Sequence, residues 1–285
     1  MSDDYYQDDA VTLHHGDALT VAKTLDAASA QTIVTSPPYF GLRDYGEAGQ
    51  IGAEASFGEY VGNMVALFGE FRRVLADDGT LWLNLGDSYG AGKNLLGVPW
   101  RVALALQDDG WILRSEIIWA KPNPMPESVT DRPTKSHETI FLFAKSPRYY
   151  YDAETIKEES KGEWNSADGF IPEGQAKRNI EGRIGSRADA QQFGRNKRTV
   201  WTVPTVPFSA GHFAVYPPAL IRPCVLAGSR MGDTVLDPFS GSGTTGMVAT
   251  QEGRKYVGID LNSDYLDLSL KTRFAQPVLN LGDAA

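Results

Sequence analysis

Short apolar runs and stretches of helical spacing alternate along most of the chain. Thr32-Ile33-Val34-Thr35 is β-branched and apolar and stops at Ser36-Pro37-Pro38-Tyr39. It reads as a buried strand ending in a loop, because proline cannot extend a ladder. Val61, Val65, Leu67, Phe68, Phe71, Val74 and Leu75 recur at helical spacing. They predict a helix over 59–76, ended by Asp78-Gly79. A strand follows over 80–85, a helix over 97–109 and a strand over 111–119. Lys121-Pro122-Asn123-Pro124-Met125-Pro126 makes a rigid loop, and 139–144 another strand. Past a long polar stretch the alternation returns: helix 217–228, strand 233–237, helix 244–252, strand 256–260 and helix 262–274. Residues 1–10 read as frayed. Strands alternating with helices, without an internal repeat, indicate an α/β fold with a parallel sheet.

The polar stretch sets the domain organisation. Residues 152–198 are rich in Gly, Asn, Gln, Ser and charge, too long for a simple connection in a compact domain. The chain therefore divides into 1–151, an insertion over 152–200, and 201–285. With 285 residues it can bury a sizeable core. No apolar run is long enough to cross a bilayer, and the acidic start lacks the pattern of a signal peptide. One cysteine, Cys224, excludes an intrachain disulfide, and with only 4 His a zinc cluster is not expected. The expected location is cytoplasmic.

The net charge of −9 argues against a protein that coats nucleic acid generally. The charge is uneven, however. Between 173 and 200, Lys177, Arg178, Arg183, Arg187, Arg195, Lys197 and Arg198 face Glu173, Glu181 and Asp189, seven positive against three negative. A basic stretch on an acidic body suits contact with a polyanion at one place. A solvated loop is the alternative.

Two constellations carry candidate chemistry. The first, Asp237-Pro238-Phe239-Ser240-Gly241-Ser242-Gly243-Thr244-Thr245-Gly246, follows a strand and opens a helix. Glycine there lets backbone approach a ligand closely. Asp260 ends the next strand, where a carboxylate can accept both hydroxyls of a ribose. Gly241, Gly243 and Gly246 spell G-x-G-x-x-G, a weak signal alone. The intervening Asp-Pro-Phe-Ser puts an acid near the ligand, which would repel a pyrophosphate and suit the cationic sulfonium and ammonium of S-adenosylmethionine. A tight turn with helix-packing glycines is the alternative.

The second is Thr35-Ser36-Pro37-Pro38-Tyr39, which alone would read as a proline-rich turn after a strand and beside the glycine turn reads as a rigid, aromatic-walled cup suited to methylation of an exocyclic amine. An exocyclic amine is a poor nucleophile because its lone pair is delocalised into the ring. Accepting its N–H groups on the Ser36 hydroxyl and the Pro37 carbonyl favours a more nucleophilic nitrogen, while Tyr39 stacks on the base. A duplex base must leave the stack to reach such a cup.

Together the two motifs make the chain resemble the amino-group DNA methyltransferases of the β arrangement, which act on cytosine N4 or adenine N6. In that class an S/D-P-P-Y loop precedes the cofactor glycine loop, with target-recognition sequence between. The resemblance covers most of 11–275. It implies a Rossmann-like S-adenosylmethionine-dependent methyltransferase fold, with a seven-stranded, mostly parallel sheet holding one antiparallel strand and an inserted target-recognition region. By it, Asp237, Phe239, Ser240, Gly241, Gly243, Thr244 and Asp260 would bind S-adenosylmethionine, with Asp17 and Phe213 nearby. Ser36, Pro37, Pro38 and Tyr39 would hold the base, and the basic segment would meet double-stranded DNA. Ser at position 36, rather than Asp, favours cytosine N4 over adenine N6. Where the family often has H-P-T-Q-K-P, this chain has Gly211-His212-Phe213-Ala214-Val215-Tyr216-Pro217-Pro218. A homodimer and a cognate restriction enzyme are compatible with the resemblance, and the sequence selects neither.

Weaker features have structural alternatives. Asp17 could be a turn aspartate, and Asp87, in Gly86-Asp87-Ser88-Tyr89 after a strand, could contact the base or cofactor or serve as a helix cap. Trp119-Ala120-Lys121-Pro122-Asn123-Pro124 resembles a family loop near the target base, although Trp119 itself reads as core. Arg132, Lys135 and His137 could meet phosphates, although His137-Glu138 reads as a structural pair. Pro223-Cys224 resembles the nucleophile of cytosine-C5 enzymes, but Cys224 sits in an apolar helical pattern and reads as packing. A nicotinamide oxidoreductase would use the glycines but leave S-P-P-Y without a task. A DNA-binding module that had lost its activity would not be expected to keep Ser36, Tyr39, Gly241 and Asp260.

Overall fold

The central strands are apolar on both sides because helices cover both faces of the sheet they form. The structure, a computed structural model, describes residues 4–42, 46–47, 49–159, 194–206 and 215–274. It divides into two units, Met1–Tyr151 with Thr199–Ala285, and Asp152–Arg198.

The first unit holds one sheet. Its strands in chain order are β1 (Tyr6–Gln7), β2 (Val11–His15), β3 (Ala30–Thr35), β4 (Leu75–Leu85), β5 (Ile112–Ala120), β6 (His137–Ala144), β7 (Val200–Thr202), β8 (Thr234–Asp237) and β9 (Lys255–Asp260). They lie in the order β1-β2-β9-β8-β3-β4-β6-β5-β7. From β2 to β4 all neighbours are parallel. β6 runs antiparallel to both β4 and β5. The expected seven strands with one reversed member are thus β2 to β5 in this order, and the sheet extends beyond them. β1 adds an antiparallel edge and β7 a parallel one, making nine.

Among the described residues the α-helices are α1 (Ala18–Ala22), α2 (Phe57–Val74), α3 (Val98–Asp108), α4 (Pro218–Gly228), α5 (Thr244–Gln251) and α6 (Ser263–Ser269). α2 begins at a serine cap: the Ser56 side chain accepts from Glu59 N, and Arg72 and Arg73 stand in its last turn. Its buried stripe is Tyr60, Met64, Leu67, Phe68, Phe71 and Val74. With α1 and α3 it covers one face, against alternate residues Ile33, Leu81, Leu83, Phe141, Phe143, Leu236 and Ile259.

Several boundaries differ from the sequence reading. Residues 6–7 are a strand because Tyr6 and Gln7 pair with Leu13 and Thr12. β2, α1 and β7 are too short to show a period. Asp78-Gly79 does not end α2. The helix stops at Val74, and Asp77–Gly79 fall in an irregularity between the Ala30–Leu75 and Thr32–Thr80 pairs of the ladder. The last helix becomes a π-helical turn at Leu270–Phe274. Within the described residues, no helix is long and apolar enough to cross a membrane.

In the second unit, Glu158 and Arg195 form an antiparallel bridge, with both backbone N–H to carbonyl bonds made at 3.0 and 2.9 Å.

Candidate active site

Parallel strands deliver their following loops to one edge of a sheet. Here β3 and β8 are adjacent, with Ile33 opposite Leu236, so the S-P-P-Y loop and the glycine loop emerge side by side. From β8 the chain winds to β9 on one side, and from β3 to β4 on the other. The gap between β8 and β3 is therefore a topological switch point, where α/β sheets open a crevice.

Asp237 ties the two loops together. It is 1% exposed. Its Oδ1 accepts from the Thr35 hydroxyl at 2.6 Å and from Phe239 N at 3.0 Å. Its Oδ2 accepts from Thr245 Oγ1 at 2.7 Å and the Tyr216 hydroxyl at 3.1 Å, and Tyr216 also contacts Thr245. Burial pushes the carboxyl above its ordinary range, and these hydrogen bonds oppose the shift. Asp237 is thus engaged by protein donors on both oxygens.

The glycine loop turns tightly onto α5. Ser240 N donates to Ile259 O at 2.8 Å, Gly243 N to Ser240 O at 2.9 Å, and the Tyr256 hydroxyl to Ser240 Oγ at 2.8 Å. Gly243 caps α5 in the left-handed region, at φ 76°, which favours glycine. Thr244 is buried, and Phe239 packs partly buried against the core. Asp260, at the end of β9, accepts from Gly241 N at 2.7 Å and Asn262 N at 2.9 Å. Burial pushes its carboxyl up to about 6, against those two bonds. Gly16 N donates to Asp260 O at 2.9 Å, and Asp17 caps α1 by accepting from Thr20 N. Gly16-Asp17, Gly241 and Asp260 therefore meet at one edge. A Cβ at Gly241 would meet nothing closer than 3.9 Å, so the loop leaves open space there. A small-residue loop beside a carboxylate fits an adenosyl ligand.

Across the crevice the Tyr39 ring lies on Gly86. Its hydroxyl donates to Glu138 Oε2 at 2.7 Å and accepts from Asn84 Nδ2 at 2.7 Å. The Ser36 hydroxyl donates to Tyr39 Oη at 3.2 Å and faces Asn84 Nδ2 at 3.3 Å. Burial, then the Glu138 charge, push the Tyr39 phenol well above its ordinary value, so it stays protonated. The Pro38 carbonyl accepts from the Tyr60 hydroxyl at 2.9 Å, which fastens this loop to α2. Among the described residues, Asn84 Oδ1 is buried without a hydrogen-bond partner, an acceptor left for a donor the protein does not supply.

Asn84 escaped the sequence reading, Glu138 was read only as a structural partner of His137, and Lys121 lies in the loop whose resemblance placed it near the base. Asn84 lies near the end of an otherwise apolar strand, and its out-of-pattern amide was the available signal. Glu138 does not pair with His137: it joins Tyr39, Asn84 and Lys121. Asp87 is the α3 cap, accepting from Gly97 N and Val98 N at 3.1 and 2.9 Å. Arg132 pairs with Glu127 at 2.7 Å, and Lys135 Nζ donates to Asp87 O at 2.7 Å. Trp119 and Cys224 are buried. Arg195 and Arg198 bind Glu158 at 3.0 and 2.6 Å. Lys177, Arg178, Arg183, Arg187 and Phe213 lie outside the described residues.

A switch-point crevice with a glycine loop, a strand-end acid and an S-P-P-Y cup defines the class of S-adenosylmethionine-dependent methyltransferases. The family model described as DNA methylase (N6_N4_Mtase) matches residues 30–271, and the chain belongs to that family. S-adenosylmethionine is its cofactor. The chain is 47% identical over 287 residues to the type II methyltransferase M.Cfr9I of Citrobacter freundii, covering 91% of this chain and 86% of the relative. It is 46% identical over 282 residues to M.SmaI of Serratia marcescens, covering 89% and 87%. The fold matches the PvuII DNA methyltransferase (cytosine-N4-specific), with TM-score 0.72, 20% identity and coverage of 99% and 90%. It also matches a putative DNA modification methylase of Thermus thermophilus solved with S-adenosyl-L-methionine, with TM-score 0.62, 24% identity and coverage of 94% and 96%.

Proposed function

We propose that this DNA methyltransferase transfers a methyl group to the exocyclic amine of an extruded base, with cytosine N4 as the acceptor and adenine N6 as the alternative. The observation that carries the reading is the Thr35–Asp237 hydrogen bond, which holds the S-P-P-Y loop beside the cofactor loop. When bound, S-adenosylmethionine would supply an electrophilic methyl group on a sulfonium, with the neutral thioether as its leaving group. Asp260 accepts the ribose hydroxyls, and the Gly241 region gives the cofactor room. Ser36 Oγ and the Pro37 carbonyl accept the amine hydrogens, and Tyr39 walls the base. Holding nitrogen and carbon in line supplies up to roughly 7–11 kcal/mol of the barrier reduction.

Ser36 supports cytosine through the resemblance already described, and a protein of the same fold is designated cytosine-N4-specific. Mass spectrometry of hydrolysed DNA after incubation with labelled S-adenosylmethionine is expected to show N4-methylcytosine. Exclusive N6-methyladenine would overturn that assignment. Ser36→Ala and Tyr39→Ala should lose methylation while cofactor binding persists, and retained turnover would refute their roles.

The Asp260 assignment carries a pH signature. An ionised carboxylate accepts ribose hydroxyls better than a carboxylic acid, so cofactor affinity should fall as pH falls through about 6. Calorimetry is expected to give a dissociation constant about tenfold larger at pH 5 than at pH 7. Asp260→Asn should flatten that dependence. A flat wild-type profile would remove Asp260 from the ribose.

The basic segment over 173–200 is proposed as the DNA contact and target-recognition element. The DNA is double-stranded and specifically recognised, in keeping with the type II designation of the relatives. Affinity for DNA should fall linearly in log–log form with salt, by about 0.9 in slope per phosphate neutralised. A salt-insensitive affinity would exclude the segment.

A further inference from the structure

The hydrogen bonds around Tyr39 run in one direction. A phenol has one hydrogen and two acceptor positions. Both acceptor positions of Tyr39 Oη are taken, by the Ser36 hydroxyl at 3.2 Å and Asn84 Nδ2 at 2.7 Å. Its one hydrogen therefore goes to Glu138 Oε2, 2.7 Å away. Asn84 fixes that sense. Its Nδ2 also lies 3.1 Å from Glu138 Oε2, and an ionised carboxylate only accepts, so nitrogen is the atom that faces it. The other carboxylate oxygen, Oε1, is held by the Lys121 ammonium. With its hydrogen turned to Tyr39, the Ser36 oxygen presents a lone pair to whatever enters the cup.

We propose that Glu138 is the terminal proton acceptor of methyl transfer, reached through Ser36 and Tyr39. This rests on the reading above that Ser36 accepts an N–H of the target amine. Methylation leaves that nitrogen positively charged, with one proton too many. The N–H proton passes to Ser36 Oγ, the Ser36 proton to Tyr39 Oη, and the Tyr39 proton to Glu138 Oε2. The amine becomes neutral, both hydroxyls are restored, and the carboxylate becomes a carboxylic acid that later returns its proton to solvent. No electron leaves or enters the chain. Serine alone is a poor base, and the relay joins it to a carboxylate without bringing a negative charge against the base. Glu138 acts through the other two: Ser36 meets the amine and Tyr39 walls the base and passes the proton on.

Glu138→Gln keeps size and an acceptor oxygen for Tyr39 but cannot take the proton. Tyr39→Phe keeps the ring and breaks the chain. Each is expected to slow single-turnover methylation of duplex DNA by at least about 100-fold. Affinities for S-adenosylmethionine and DNA should stay within about threefold, because neither binding step moves a proton through the chain. The double variant should be no slower than the slower single, since both cut one pathway. A Glu138→Gln rate near wild type, or a double variant slower by the product of both losses, would overturn the relay. If Glu138→Gln fails to fold, as a melt would reveal, Tyr39→Phe decides: a wild-type rate overturns the proposal. Ser36→Ala separates the layers. Full activity there refutes the role of Ser36 itself, whereas a slow Ser36→Ala beside a fast Glu138→Gln refutes only the relay.

Discussion

Gly86→Ala is expected to lower single-turnover methylation by about 100-fold or more while cofactor affinity stays within a few-fold. A Cβ at this position would lie 2.4 Å from Tyr39 Cε2 and 2.7 Å from Cδ2, distances that no side chain tolerates. Gly86 cannot retreat easily. It stands between the last residue of β4 and Asp87, whose carboxylate caps α3. The Tyr39 ring must move instead, and with it the hydroxyl that holds Glu138 and Asn84 at 2.7 Å each. A shift of about 1 Å takes such bonds out of range, and misplacement of that size near a reacting group costs on the order of 100-fold. The glycine loop and Asp260 lie on other strands and keep their geometry. Single-turnover rates and calorimetry on the same preparation check the split. An alanine variant that methylates at the wild-type rate would show that the Tyr39 position is not required.

The second large effect is on stability. Asp237→Ala would leave the Thr35, Thr245 and Tyr216 hydroxyls and Phe239 N without their buried acceptor. Removing one side of such a network costs about 3–5 kcal/mol. For a chain of this size that corresponds to a melting temperature roughly 10 °C lower. Asp237→Asn should lose less than half as much. Its carbonyl can stay on the side of Thr35 and Phe239 N, and its amide can donate to the Thr245 and Tyr216 hydroxyls, which can turn. Thermal denaturation of both variants tests this ordering. A melting temperature for Asp237→Ala within about 2 °C of wild type would mean that the bonds contribute little. A drop of the expected size would make Asp237 a structural tie between the two loops.

The alternation of elements was legible because each long helix buries one stripe and each central strand is apolar on both faces. The α2 stripe from Tyr60 to Val74 and the runs in β3, β4, β8 and β9 declared themselves by period. Short pieces did not: β1, β2 and β7 exist because a neighbouring strand offers hydrogen bonds, and two to five residues carry too little period to announce that. The end of α2 was misplaced for a related reason. Local turn chemistry pointed to Asp78-Gly79, whereas pairing of Leu75 with Ala30 stops the helix at Val74.

The order of residues along the chain by itself determined the two motifs, the acid at Asp260 and the polar insertion, because these are properties of consecutive residues. Only the folded arrangement decided who meets whom. Asp237 and Thr35 are separated by 202 positions and become partners because β3 and β8 are adjacent. Glu138 looked like a neighbour of His137 and became the partner of Tyr39, 99 positions away. A one-dimensional pattern records which face a residue takes, not which strand lies alongside. The reversed strand β6, inserted between β4 and β5, is what carries that carboxylate to the S-P-P-Y loop.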